Sequence, residues 1–140
     1  MLNILADRVD ARNVQGKILL NGMPRDNTFQ ASTGYVPQID THHETSTVRE
    51  ALVFCALLRQ SNMYSQEAKL KYVDTVIKTL AMEGYADAMI LTPGESMLLR
   101  GDVLASRTNM IGLNTEQRRR LTIALELVAR PELLLFLGMS

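Results

Sequence analysis

The hydrophobic pattern changes period several times along the chain. Val14 to Leu20 reads as a strand and runs into Asn21-Gly22, a hairpin turn signal. Phe29 to Pro37 then reads as returning extended chain, with Tyr35-Val36 as its apolar centre. From Ser46 the period becomes helical. Ser46 or Thr47 can cap a helix through Leu58, and Glu50 is placed for a capping box. Asn62 to Ser65 forms a turn, and Ser65 caps a second helix whose apolar face is Tyr72, Val73, Val76, Ile77 and Leu80. Gly84 reads as its C-cap. A third helix starts at Asn114, with Gln117 completing a capping box, and buries Leu121, Ala124, Leu125 and Val128. After Arg130-Pro131-Glu132, the run Leu133 to Leu137 suits a strand buried on both faces of a parallel sheet. Strands mixed with helices in this order predict an α/β layered domain. Ser96 to Ile111 follows neither period and reads as a poorly ordered loop.

Composition narrows this only a little. The chain has 140 residues, 46% hydrophobic and 21% charged, which are globular values. Fifteen basic residues balance fifteen acidic ones, which argues against nucleic-acid or acidic-membrane binding driven by bulk charge. One cysteine, Cys55, excludes an internal disulfide and a cysteine-based zinc site. The longest apolar run, Ala51 to Leu58, is far below the roughly 20 residues of a membrane span. No signal-peptide pattern opens the chain, so the composition reads as soluble, intracellular and globular.

Candidate chemistry is sparse. Gly16-Lys17 resembles part of a phosphate loop, but Ile18 follows where Ser or Thr is needed, Ala11 stands where a glycine is needed, and a strand pattern surrounds it. His42-His43 beside Asp40 and Glu44 lacks a third ligand at suitable spacing and reads as an exposed polar loop. Arg118-Arg119-Arg120 spreads around a helix instead of forming one stripe, which reads as a solvated face. No Gly-x-Ser-x-Gly elbow supports a nucleophilic triad. Two ordered segments remain. Gly34-Tyr35-Val36-Pro37-Gln38 puts a glutamine just past a strand, and Leu113-Asn114-Thr115-Glu116-Gln117 opens a helix whose N–H groups can receive a phosphate.

With these residues in order, the sequence resembles the nucleotide-binding domain of an ATP-binding cassette (ABC) transporter. It is most similar to the second, C-terminal such domain of fungal pleiotropic drug resistance transporters. Leu2 to Arg8 looks like the helix after the phosphate loop, Val14 to Met23 like the following strand and turn, and Ser32 to Asp40 like the Q-loop. Glu44 to Leu52 is similar to the start of the helical subdomain. Leu113 to Gln117 sits at the signature, in the Leu-Asn-x-Glu-Gln form typical of that second domain, and Leu133 to Leu137 looks like the Walker B strand.

The resemblance implies a partial P-loop NTPase fold with part of its helical subdomain. Its divisions are 1–40 (partial core and Q-loop), 41–95 (helical subdomain), 96–111 (non-family insertion) and 112–140 (signature helix and Walker B strand). It implies ATP and Mg2+ as cofactors of an intact parent, with Gln38 at the metal and attacking water. Leu113, Asn114, Thr115, Glu116 and Gln117 would cover an ATP held by the opposite nucleotide-binding domain. Glu116, replacing a glycine, would weaken that half-site. The other implied partners are transmembrane domains, at the cytoplasmic face of a plasma membrane. Nucleic acid and direct membrane insertion are not implied.

The resemblance also sets expectations for what this chain lacks. The phosphate loop would precede Met1, and the Walker B acids would follow Leu137, where Gly138-Met139-Ser140 stands instead. The chain therefore reads as a fragment that neither hydrolyses ATP nor binds it tightly. The alternative is a non-catalytic relic or misread gene product, acting at most as a partner-binding α/β fragment. Ser96-Met97-Leu98 and Gly138-Met139-Ser140 can both be encoded through GTATGT, and Thr108-Asn109 through ACTAAC. These strings resemble a fungal intron start and branch point, so the insertion and the last residues read as translated introns.

Overall fold

The computed structural model describes residues 2–8, 15–26, 28–39, 42, 46–91 and 112–136. Its elements are α1 (Leu2–Leu5), β1 (Leu19–Leu20), β2 (Met23–Pro24), α2 (Phe29–Ser32), β3 (Thr33–Val36), α3 (Val48–Arg59) and α4 (Gln66–Thr79). A 3-10 turn at Glu83–Tyr85, helix α5 (Thr115–Val128) and strand β4 (Leu133–Phe136) follow. The mixture of helices and small sheets agrees with an α/β fragment. The loop expected at Ser96 to Ile111, the strand residue Val14, and Leu137 to Ser140 lie outside the described residues.

Two sheets form. β1 and β2 pair antiparallel around Asn21 and Gly22, both at positive φ (51° and 84°), which a two-residue hairpin turn requires. The strand expected over Val14 to Leu20 is therefore only two residues long within the described part. Gln15 to Ile18 are not strand, and Gly16 sits at φ 127°. The extended stretch expected from Phe29 is also corrected. Phe29 to Ser32 is a helical turn, with Phe29 buried, and the chain extends only at Thr33.

β3 and β4 pair in parallel, with Thr33 opposite Leu133 and Val36 opposite Phe136. Parallel neighbours need a long crossover, and here it carries α3, α4 and α5. Gly34 lies against β4, where a Cβ would stand 2.6 Å from Leu134 Cδ1 and 3.1 Å from Pro131 Cγ.

The three long helices bury a common core of Val48, Leu52, Ala56, Val73, Val76, Ile77, Met82, Ala86, Ile90, Leu113, Leu121, Ala124 and Val128. Local chemistry sets their starts. Thr47 Oγ1 accepts the Glu50 N–H while Glu50 Oε2 accepts the Thr47 N–H at 2.8 Å. Ser65 Oγ accepts the Ala68 N–H. The ends of α3 and α5 and the start of α4 are tied together by buried polar groups. Gln60 Nε2 donates to Val128 O at 2.7 Å, and buried Lys69 donates its ammonium to Gln60 O at 3.0 Å. A cation at the end of α3 suits the negative pole of its dipole.

The C-cap assigned to Gly84 belongs elsewhere. α4 stops through Ala81 at φ 51°, with Ala81 N–H bonded to Lys78 O and Met82 N–H to Ile77 O at 2.9 Å. This is a Schellman ending with alanine where glycine is usual, and fully buried Met82 supplies the closing apolar contact. Gly84 falls within the 3-10 turn beyond it.

Ala81→Gly should raise stability by about 1 kcal/mol, because alanine carries a steric cost in the left-handed region. Gly112→Ala should lower it by about 1–3 kcal/mol, since its Cβ would stand 2.5 Å from the Leu91 backbone oxygen. Urea midpoints of the purified chain read both; the opposite order of the two variants would contradict these placements.

Candidate nucleotide site

Gln38 lies two residues beyond β3, past Pro37, and is exposed. In open α/β sheets ligands gather outside the carboxyl ends of parallel strands, and Gln38 stands at that end. α5 returns along β3 in the opposite direction. Past its end, just before β4, Glu132 N–H bonds Ser32 O at 2.8 Å; in its last turn Glu126 Oε2 accepts the Tyr35 N–H at 3.2 Å, and near its start Arg119 Nη1 donates to Pro37 O. This order puts the N-terminus of α5 at the same end of the strand pair as Gln38.

That N-terminus begins with Leu113, 1% exposed and anchored in the core. Asn114 is the N-cap. Its Oδ1 accepts the Gln117 N–H at 2.8 Å, and Gln117 Oε1 accepts the Asn114 N–H at 3.0 Å. The expected capping box is therefore present. Thr115 and Glu116 are exposed, and their N–H groups make no hydrogen bond among the described residues. Those two amides, at the positive pole of a 14-residue helix, fit an oxygen of a terminal phosphate. Glu116 also pairs with Arg120 one turn on, which draws its carboxylate along the helix. No hydrogen bond joins Gln38 directly to residues 113–117 among the described residues; Arg119 supplies the link through Pro37.

A magnesium ion fits less well. It asks for near-octahedral oxygen ligands, usually including one or two carboxylates. Among the described residues no three His, Cys, Asp or Glu side chains cluster, and Gln38 offers one neutral oxygen.

Two sequence readings change. The histidine pair was read as an exposed loop, but His42 is half-buried, with Nε2 3.1 Å from both Arg118 O and Thr122 Oγ1. Asp40, His43 and Glu44 lie outside the described residues. The three arginines do not form a solvated face. All are half-buried, and they donate to three separate segments: Arg118 to Leu91 O, Arg119 to Pro37 O and Arg120 to Leu80 O.

Sequence reasoning missed Glu126 and Arg59. Arg59 Nη1 and Nη2 each lie 3.0 Å from a Glu126 oxygen, and this paired hydrogen bonding, against the cost of burial, holds the guanidinium pKa above its usual value. It also missed an apolar cleft of about 390 Å3 lined by Ser46, Ala51, Phe54, Cys55, Ile90 and Leu125, with His42 and Glu50 at its polar part. The available signal was the run Ala51 to Leu58, too apolar for a helix with one covered face; Phe54 and Leu58 are 69% and 71% exposed. Burial pushes the Cys55 thiol pKa up, against the smaller opposing effect of Arg59.

No protein-family profile matches the chain. Curated proteins do. It is 50% identical over 137 residues to ABC multidrug transporter C of Aspergillus fumigatus, covering 98% of this chain and 8% of that protein. It is 52% identical over 137 residues, with the same coverage, to ABC multidrug transporter AFR2 of Cryptococcus neoformans. This chain is related to the fungal ABC transporters. A further relative is the ZEB2-regulated ABC transporter 1 of Gibberella zeae, 50% identical over 136 residues, with 97% of this chain and 8% of that protein covered. The chain thus spans about 8% of the length of these ABC transporters. Among the described residues, no helix is long and apolar enough to cross a membrane.

Asn114→Ala removes one half of the capping box. It should destabilise the chain by about 1 kcal/mol, with helix content lost first at α5. Thermal unfolding with amide exchange along α5 checks this, and unchanged exchange at Gln117 would remove the cap's role.

Proposed function

We propose that this chain carries the Q-loop and signature helix of an ABC nucleotide-binding domain, of the second, pleiotropic drug resistance type. Its parent would couple ATP binding and hydrolysis to export of hydrophobic compounds across a membrane. The observation that carries this is the shared position of exposed Gln38 and the two free amides of Thr115 and Glu116 at one end of the β3–β4 pair. Fifty percent identity to multidrug transporters across nearly the whole chain supports the same reading.

In this reading Asn114 to Gln117 approach the terminal phosphate of an ATP held by an opposite domain. Glu116 lowers the affinity of that half-site because its carboxylate takes part of the positive field a phosphate would use. In the parent, Gln38 would stand beside magnesium and the attacking water. The apolar cleft along α3 would meet the membrane domains, which exposed Phe54 in its lining and exposed Leu58 on the same helix support. The parent's site would lie at the cytoplasmic face of the plasma membrane.

By themselves these 140 residues should bind ATP weakly and not hydrolyse it. They contain no glycine-rich loop ending in Lys-Ser or Lys-Thr, so the main phosphate contacts of such ATPases are lacking. Calorimetry should show no ATP affinity tighter than millimolar, and a micromolar Kd would overturn the proposal. At millimolar ATP, NMR shifts should concentrate at Gln38, Thr115 and Glu116. Absence of any shift would favour the alternative, a non-catalytic relic.

A further inference from the structure

We infer that Arg119 is a positioning residue that holds the Gln38 segment to the signature helix; the inference rests on the nucleotide reading of those two segments. Arg119 stands two residues after Gln117, in the second turn of α5, and donates to Pro37 O, the carbonyl of the peptide unit that leads into Gln38. Gln38 itself is exposed and makes no hydrogen bond among the described residues, and Ile39 after it is 75% exposed. The orientation of Gln38 therefore depends on its anchored neighbour. A charged guanidinium bonded to a carbonyl is stronger than a neutral pair, and half-burial of Arg119 limits competition from water.

The neighbouring arginines make this assignment specific. Arg118 and Arg120 leave the same two turns of helix but reach Leu91 O and Leu80 O, each at 3.3 Å. They fix α5 within the helical core. Arg119 points across to the strand pair. His42, farther along the segment that begins at Gln38, is also seated on α5, at Arg118 O and Thr122 Oγ1. Pro37 and His42 are thus each bonded to α5.

The test is 15N relaxation on the purified chain, without nucleotide, comparing R119A with R118A and R120A. Gln38 and Ile39 should go from a rigid order parameter near ~0.85 to below ~0.6 in R119A. They should keep the wild-type value in the other two, with α3 and α4 unchanged in all. An unchanged value in R119A, or equal loosening in all three variants, overturns the inference. Should R119A fail to fold, R119K must keep Gln38 ordered and R119Q must loosen it; equal order in both overturns it as well. An ATP titration separates this from the nucleotide reading. With no ATP-dependent shifts in wild type but loosening in R119A, the tie stands and the nucleotide reading falls. With ATP shifts at Thr115 and Glu116 but no loosening in R119A, the reverse holds.

Discussion

The carboxylate of Glu126 is where the two halves of the molecule meet. It projects from α5, accepts from both terminal guanidinium nitrogens of Arg59 from α3, and accepts the Tyr35 N–H of β3. An ion pair on an open surface contributes little. This one is different because its atoms are only 32% and 18% exposed, and because one oxygen also satisfies a strand amide. Removing the carboxylate would strand a half-buried arginine and leave a strand N–H without its acceptor, each a cost of about 1–3 kcal/mol. The helical core and the parallel strands are otherwise separate packing problems. α5 solves both, and Glu126 sets its height against β3.

Once that height is set, the functional geometry follows. A helix leading into a parallel strand runs opposite to it, so its N-terminus comes to the carboxyl end of the sheet. From α5, Glu126 and Arg119 bond Tyr35 of β3 and then Pro37 just past it, while Glu132, just before β4, bonds Ser32 just before β3. Gln38 and the first turn of α5 arrive at the same end through this alignment, without any direct bond between them. The site is a consequence of crossover topology plus one carboxylate and one guanidinium.

What could be read from the sequence was local. Thr47 with Glu50, Ser65, and Asn114 with Gln117 all cap as their spacing predicts, because each cap is made within one turn of chain. Asn21-Gly22 turns for the same reason. The parallel strand at Leu133 is legible from its unbroken apolar run, but burial on both faces is not found: Leu133 to Leu135 are half-buried and Phe136 is exposed. The misreadings share a cause. Gly84 was taken as a cap because glycine usually fills that position, whereas buried Met82 makes alanine tolerable at 81. The arginine run was judged by angular spread on an isolated helix. In the folded chain that spread lets three long side chains reach three different carbonyls. Phe29 to Ser32 looked extended because Phe29 favours strands, yet burial of its ring decided the local turn. Glu126 carried no sequence signal because its partners lie 67 and 91 residues away.

The same contrast bears on Glu116. A glycine at that position would leave the helix dipole and first-turn amides to a ligand alone. Glu116 places a carboxylate in that turn, where the helix pole stabilises it by about 0.3–1 kcal/mol. In the proposed reading a phosphate would draw on the same field, so Glu116 would compete with its binding there. Arg120 moderates the competition by pairing with the carboxylate one turn up. Arg120 also donates to Leu80 O at the end of α4. Packing of α4 against α5 therefore bears on the charge at the first turn of α5.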